Sequence, residues 1–411
     1  MRYIIFAGSI MNMGGAQMYI SNKVKYMKSL GWDVQVFSGL KGPVLLHNLD
    51  EYKDLIIPEM EYVPNFYSRR SREKKISRIL EIIGQVNGDE VVIESSTGHM
   101  AAWGEIVASR LKARHFAFLL DEHFDFDKGF IDFFRFKHKR NELALITRKS
   151  LEILFGGDYA GKEDESTMLS ASCNNVTEDI TDERFDAIPY GDFDFLICSL
   201  GRLNKEYIPT VIEGFKAFAT QHPEKKIAYV FIGDQPEGFV PDMRIKIKKA
   251  LDELSNVTVY QMGYVYPIPS SFFDHVDVGV GSAGSSRVMW NKRIPTISMD
   301  AKDGLPIGIL GYTTKNTLYH ENEERESLPE FLEKILFSNY LQNKEFMPYD
   351  IMPYDENFKK HMAFIDKMSN EHRYYDILSI KLQGKESKIK KALISSIGLK
   401  NYKLLKDKLK H

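Results

Sequence analysis

Two adjacent glycines, Gly14 and Gly15, stand where a short apolar run (YIIFAGSI, residues 3–10) gives way to a helix-like stretch from Ala16 to Leu30. In a tight strand-to-helix loop, missing Cβ atoms let backbone approach a ligand, and the first turn of the helix offers unpaired N–H groups to negative charge. A phosphate suits that place; the same pair also fits a turn that simply needs φ > 0. A second candidate is GSAGSS (residues 281–286), where Ser285, Ser286 and the backbone N–H groups around Gly284 can form a nest for phosphate or sugar, or merely cap the helix RVMWNK. A third, DAKDGLPIGILGYTT (residues 300–314), gathers Gly304, Gly308 and Gly311 into either a flexible lid or an irregular connector. Asp125 and Asp127 have the spacing of a metal-binding pair, but the alternating phenylalanines around them read as a strand edge or apolar surface. No metal and no cofactor is expected.

Several chemistries drop out. The glycine pair is not GxGxxG, and the second strand ends VFSGL where a nicotinamide dinucleotide site wants an acid for the ribose. There is no GxxxxGK[ST] P-loop. Cys173 and Cys198 lie far apart and outside zinc-ligand spacing, which argues against a disulfide framework and fits a reducing cytoplasm. The formal net charge of -2 recruits no nucleic acid. The N-terminal apolar run lacks a cleavage pattern and is not read as a signal peptide; no apolar run is long enough to span a bilayer.

The elements that would position these residues alternate in the manner of βαβ units. YIIFAG, DVQVFSG, EVVIESS and HFAFLLD read as strands separated by helical stretches, followed by the strand-turn-helix ALITRKSLEILFGG. A polar, acid-rich stretch from Asn174 to Asp194 reads as a linker, after which DFLICSLGRL, KIAYVFIGD, VTVYQMG, VDVGVGS and RIPTISMD repeat the pattern. With 411 residues, two domains are expected: a Rossmann-like domain over 1–185, a second over 186–354, and a helical and basic tail over 355–411. Such sheets bind ligands beyond the carboxyl ends of their strands, and two of them present those loops across a cleft. The stretch Asp355 to Leu382 reads as one long helix returning over both domains.

GGAQMYISNKVKYMKSLGWDVQVFSG at the start, with GRLNKEYIPTVIEGFKAF, YVFIGDQPEG, VTVYQMGYV and RIPTISMD in that order later, resembles retaining glycosyltransferases of family 4 type. The resemblance covers most of residues 1–315. It implies an α/β GT-B fold of two facing Rossmann-like domains, an N-terminal acceptor domain and a C-terminal donor domain, with a C-terminal helix crossing back. It also implies that Arg202 and Lys205 grip the donor's diphosphate, where fixed cations stabilise charge developing on the leaving oxygen. The lysine sits closer to the arginine than is usual in the family; a plain surface pair at a helix start is the alternative. His99, in EVVIESSTGHMAAWG, matches the histidine that reaches toward the donor sugar, with packing or capping as its alternative. His123 occupies a comparable place one strand later. Gly233 and Tyr264 fall in the donor-side strand-end loops. The departure is at VDVGVGSAGSSRVMWNKRIPTISMD, which carries neither of the family's two glutamates; Ser285 and Ser286 can replace their hydrogen bonds but not their charge.

The resemblance thus implies a metal-independent transfer of sugar, with retention, from a nucleotide-sugar donor to a saccharide or lipid-linked acceptor in polysaccharide or glycoconjugate assembly. A catalytically weakened binding or scaffold subunit and a nucleotide-sugar isomerase are the alternatives. The lysine-rich end, with Leu and Ile interleaved, can lie on an anionic membrane surface as a peripheral attachment, or can pack locally as a solvated helical face.

Overall fold

Residues Tyr3 to Ala7 are all fully buried, as are Val91 to Ile93 and Phe116 to Ala117, because a parallel strand covered by helices on both faces has no solvent side. In the computed structural model they belong to a five-stranded parallel sheet of β1 (Arg2–Ala7), β2 (Asp33–Ser38), β3 (Val91–Ser95), β4 (Arg114–Leu119) and β5 (Leu143–Leu145), in the order β2-β1-β3-β4-β5. The structure describes residues 1–411 except 12, 121–125, 157–166, 172–175, 236–238, 350–353, 383–384 and 409–411. His123, Asp125 and Cys173 lie outside the described residues.

The chain divides into two units, Met1–Ala171 with Pro353–His411, and Ser172–Met352. The second unit holds a small parallel pair, β6 (Thr177–Glu178) with β10 (Ile268–Pro269), and a six-stranded sheet. That sheet comprises β7 (Phe195–Leu200), β8 (Ile227–Ile232), β9 (Val257–Gly263), β11 (Val278–Gly281), β12 (Thr296–Met299) and β13 (Pro306–Leu310), in the order β13-β12-β11-β7-β8-β9. Both sheets reverse their direction of growth once, between β1 and β3 in the first and between β7 and β11 in the second, and an open α/β sheet leaves a crevice at such a point.

Three expectations are corrected. From Val176 to Asp194 the chain is not a linker, and the boundary moves from 185 to 171: Phe185 and Ile188 are buried in a cluster with Leu196, Phe272 and Phe273, so they belong to the second unit. The glycine-rich stretch after Asp300 is neither lid nor loop; Ile307, Ile309 and Leu310 are buried, and β13 pairs antiparallel with β12. The helix beginning at Tyr354 stops at Lys367 rather than running to Leu382. Beyond it the backbone serves the first unit: Ser369 N donates to Arg140 O, Tyr375 N donates to Glu105 Oε1 at 2.7 Å, and Tyr375 packs on Phe133 and Phe136.

The first unit encloses charge as well as apolar surface. Lys137 Nζ donates to Glu105 Oε2, Glu142 Oε2 and His115 O, each at 2.8 Å, and His115 Nδ1 lies 2.6 Å from Glu105 Oε2. Burial, reinforced by Lys137, lowers the His115 pKa to about 4. Burial alone would raise Glu105, but Lys137 and His115 outweigh it and hold the carboxyl at about 2. A second group surrounds Glu94, which accepts from the hydroxyls of Tyr3 and Tyr19 and faces Lys23 Nζ at 3.8 Å. Tyr19 Oη lies 3.3 Å from His361 Nδ1 on the returning helix, and burial followed by Lys23 pushes the His361 pKa far down.

The sign of the pH response follows. Between 6.5 and about 4 the unfolded chain binds protons at the histidines corresponding to His99 and His115 that the folded chain refuses, so stability falls as pH drops through that window. Glu105 extends the loss from 4.5 down to about 2, since protonating it breaks its contacts with Lys137 and His115. Urea midpoints measured from about pH 7 to about pH 5 should decline steadily, at up to ~1.4 kcal/mol per pH unit for each group fully engaged. A flat profile would mean that these imidazoles take up protons within the fold.

Candidate functional site

In the second unit, three loops leave the carboxyl ends of β7, β8 and β11 beside the reversal point. The first is a turn in which Lys205 N donates to Arg202 O at 3.2 Å; Ile208 N then donates to Lys205 O, and the helix Ile208–Gln221 begins. Arg202 and Lys205 are half-buried. Among the described residues the Arg202 guanidinium has no hydrogen-bond or ion-pair partner. Gly233 ends β8 with φ +132°, and a Cβ there would lie 2.0 Å from the carbonyl oxygen of Gly201. Only glycine permits this approach, which clamps the exits of β7 and β8 together.

The helix Ala283–Asn291 starts where β11 ends. Ser285 Oγ donates to Ser282 O at 2.7 Å and lies near Gly201, with 3.7 Å to the position of a Cβ on that residue. Ser286 is fully buried, and its Oγ donates to Ala283 O at 2.8 Å. Ser285 thus forms a capping box with the N-cap Ser282, while Ser286 bonds back within the first turn of the helix. Ser286 is enclosed by the fold, while Ser285 and the backbone at Gly284 lie at the reversal point. Tyr264, just after β9, is electrostatically coupled to Asp234 and Arg202: burial and then Asp234 raise its pKa, and Arg202 opposes them.

Sequence reasoning missed Asn204 and Asp234. The Asn204 side-chain oxygen and the Tyr264 hydroxyl are buried without a hydrogen-bond partner among the described residues. Buried polar atoms are normally paired, so these two orphans, on the loops that follow β7 and β9 on either side of β8, each call for a further group to complete them. Asp234, next to Gly233, accepts from Gln235 N at 2.8 Å and faces Arg244 at 3.7 Å. Its only local signal was its place after a strand-ending glycine.

In the first unit, Gly14 caps the helix Gly15–Ser29 with φ -176°, an extended conformation open to any residue. The turn therefore does not demand glycine for its φ. A Cβ on Gly15 would meet nothing within 4 Å, so room is left open at the helix start. One strand over, His99 lies in the first turn of the helix Gly98–Leu111, with Thr97 Oγ1 3.2 Å from its Nδ1. Burial lowers the His99 pKa to about 4, which leaves a neutral imidazole at physiological pH. Both loops sit at the carboxyl ends of β1 and β3, on either side of the first sheet's reversal. No cluster of His, Cys, Asp or Glu able to hold a metal occurs among the described residues. A groove of about 690 Å³ in the second unit, lined by Pro209, Glu213, Leu305, Arg325 and Leu328 among others, includes none of the candidate residues.

The two glycine loops should respond oppositely to alanine. Gly233→Ala places a methyl into a carbonyl at a strained φ and should cost about 2–4 kcal/mol in urea unfolding. Gly15→Ala enters open space at a helix start and should leave stability unchanged or raise it by up to ~1 kcal/mol.

No protein-family model matches the sequence, and no curated protein matches it. Solved structures do. The chain is similar to Anabaena Alr3699/HepE in complex with UDP-glucose, with 11% identity over 90% of this chain and 96% of that one and a TM-score of 0.56. It is similar to a glycosyltransferase from Rickettsia africae ESF-5, with 12% identity, 96% and 99% coverage and a TM-score of 0.51. Trehalose-6-phosphate synthase OtsA matches with 13% identity, 89% and 95% coverage and a TM-score of 0.50. Two Rossmann-like units, each with one reversal point, and a C-terminal segment returning to the first unit make this the α/β GT-B fold.

Proposed function

We propose that the protein is a glycosyltransferase that moves a sugar with retention, and without a metal, from a nucleotide-sugar donor to a saccharide or lipid-linked acceptor. The observation that carries this reading is Arg202, half-buried and unpaired among the described residues, at the exit of β7 beside the reversal of the second sheet. A guanidinium held there is suited to a diphosphate leaving group, whose charge grows as the glycosidic bond breaks. Lys205, one turn away, adds a second cation. Tyr264, Asn204 and the backbone at Gly233, Gly284 and Ser285 complete the donor side. The similarity to a structure holding UDP-glucose supports a nucleotide sugar as the ligand class.

In the first unit the Gly14–Gly15 bend, with nothing within 4 Å of a Cβ on Gly15, begins a helix whose positive end suits an anionic or hydroxyl-bearing ligand, and His99 offers a neutral imidazole to a sugar hydroxyl. Polysaccharide or glycoconjugate assembly in the cytoplasm, where nucleotide sugars are made, is the setting that this reading asks for.

A specific observation favours a second reading, a weakened relative that binds nucleotide without turning it over: the Ser285 and Ser286 hydroxyls are committed to their own helix, and neither substitutes for the missing carboxylates. Thermal melting with a panel of nucleotide sugars decides first. The right donor at about 100 times its Kd should add ~2.7 kcal/mol, a rise of a few degrees, and no response from any nucleotide would remove the donor site. Transfer and donor hydrolysis then separate the two readings, since the weakened relative shows the melting shift alone. In an active enzyme Arg202→Ala should lower kcat/KM by about 100- to 1,000-fold with the fold intact.

A further inference from the structure

The C-terminal helix Lys385–Lys408 carries eight lysines against two acids, Glu386 and Asp407, in a chain whose net charge is -2. It is broken at Gly398, where φ is +78°. One side of it is spoken for. Ile394 and Leu399 are buried in the core of the first unit, Ser395 Oγ donates to Phe66 O at 2.9 Å, Lys390 Nζ lies 4.3 Å from the centre of the Tyr62 ring, and Lys403 pairs with Glu61. The local-packing alternative is thus correct for that side.

Other positions along both halves of the helix are left over. Ile389, Ile397, Leu404 and Leu405 are exposed, by 51, 39, 53 and 38%, with Lys388, Lys391, Lys400 and Lys406 exposed among them. A helix folding only onto its own domain would have polar residues at these positions. The neighbouring helix Arg69–Ile83 begins just after the segment on which the tail is docked, and it presents Arg69, Arg70, Lys74 and Arg78 to solvent. Tail and helix are therefore two basic surfaces flanking one segment, Tyr62 to Tyr67.

We propose that the exposed surface of this broken helix docks on an anionic lipid bilayer, with Ile389, Ile397, Leu404 and Leu405 entering the headgroup boundary and the lysines meeting lipid phosphates. Charge selects the occupant. A second copy would bring one lysine-rich face against another, and like charges repel. Nucleic acid would satisfy the lysines but leave four aliphatic side chains without partners, and no exposed aromatic ring stands among them to stack on bases. An anionic bilayer satisfies both kinds of residue. The proposal stands apart from the transferase reading, because vesicle binding is read without turnover.

The test is co-sedimentation of the full chain with vesicles of phosphatidylcholine alone or with about a third phosphatidylglycerol. Binding should require the anionic lipid and weaken with salt. Reversing three exposed lysines together (K388E, K391E and K400E) should reduce partitioning by about 100-fold or more, at roughly fivefold per charge neutralised and further for reversal. Ile389→Ser with Leu404→Ser should also reduce it, and the three lysine-to-arginine changes should preserve it. Unchanged melting temperatures show that the variants keep their fold. Equal pelleting with both vesicle types, or undiminished binding by the triple reversal, overturns the proposal. So does self-association that these variants abolish in a protein that ignores vesicles, which would assign the face to a second copy.

Discussion

The carbonyl of Gly201 occupies the space where a side chain on Gly233 would begin, and the donor side of the second unit depends on that approach. It fixes the exits of two neighbouring parallel strands, so the Arg202 turn cannot drift from the end of β8. The start of the helix Ala283–Asn291 lies at the same place, with the Ser285 hydroxyl beside Gly201. The side chains of Arg202 and Lys205 are thus mounted on a turn whose backbone is held at both ends. That is the preorganisation an electrostatic site requires, since dipoles and charges that must first be arranged stabilise little at the moment of bond breaking.

The first unit solves a different problem, holding its layers together around buried charge. Lys137 has three acceptors and is fully satisfied, whereas Lys23 has no hydrogen bond among the described residues and is balanced by Glu94 at 3.8 Å and the faces of Tyr3 and Phe358. Burial lowers the Lys23 pKa to about 8 against the pull of Glu94. Removing one partner from such a group costs more than the pair contributes, because the remaining charge stays behind in a dry site. These groups join the sheet to the helix Gly15–Ser29 and to the returning helix at fixed registers, so they specify the arrangement of layers more than they stabilise it.

The strands were legible in the sequence because burial on both faces leaves an unbroken apolar run, and the glycines and serines at their ends were legible because turns and caps use few residue types. What escaped was decided at long range. Nothing local in residues 174–194 says that Phe185 and Ile188 will find Phe272, and nothing near Tyr375 says that its N–H will be taken by Glu105 rather than by a helical carbonyl. The same holds in the site. Arg202 could be read from the order of motifs, but Asn204 acquires significance only once its side-chain oxygen is seen buried without a partner. The glycine pair at residues 14 and 15 stands at the exit of β1, where its spacing placed it, but Gly14 has an extended backbone and not the positive φ that would explain a glycine turn.

Because the first unit is assembled from both ends of the chain, its completion is a matter of time as well as of packing. A ribosome releases the five strands of the first sheet early, yet Phe358, His361, Phe364 and Ile365, which cover one of its faces, emerge only after the entire second unit has been made. Until then the surface around Tyr19 and Phe118 faces water, and Lys23 is not enclosed. The first unit therefore cannot be sealed until the second has been synthesised, and its earlier-made half carries an uncovered apolar surface for all of that interval.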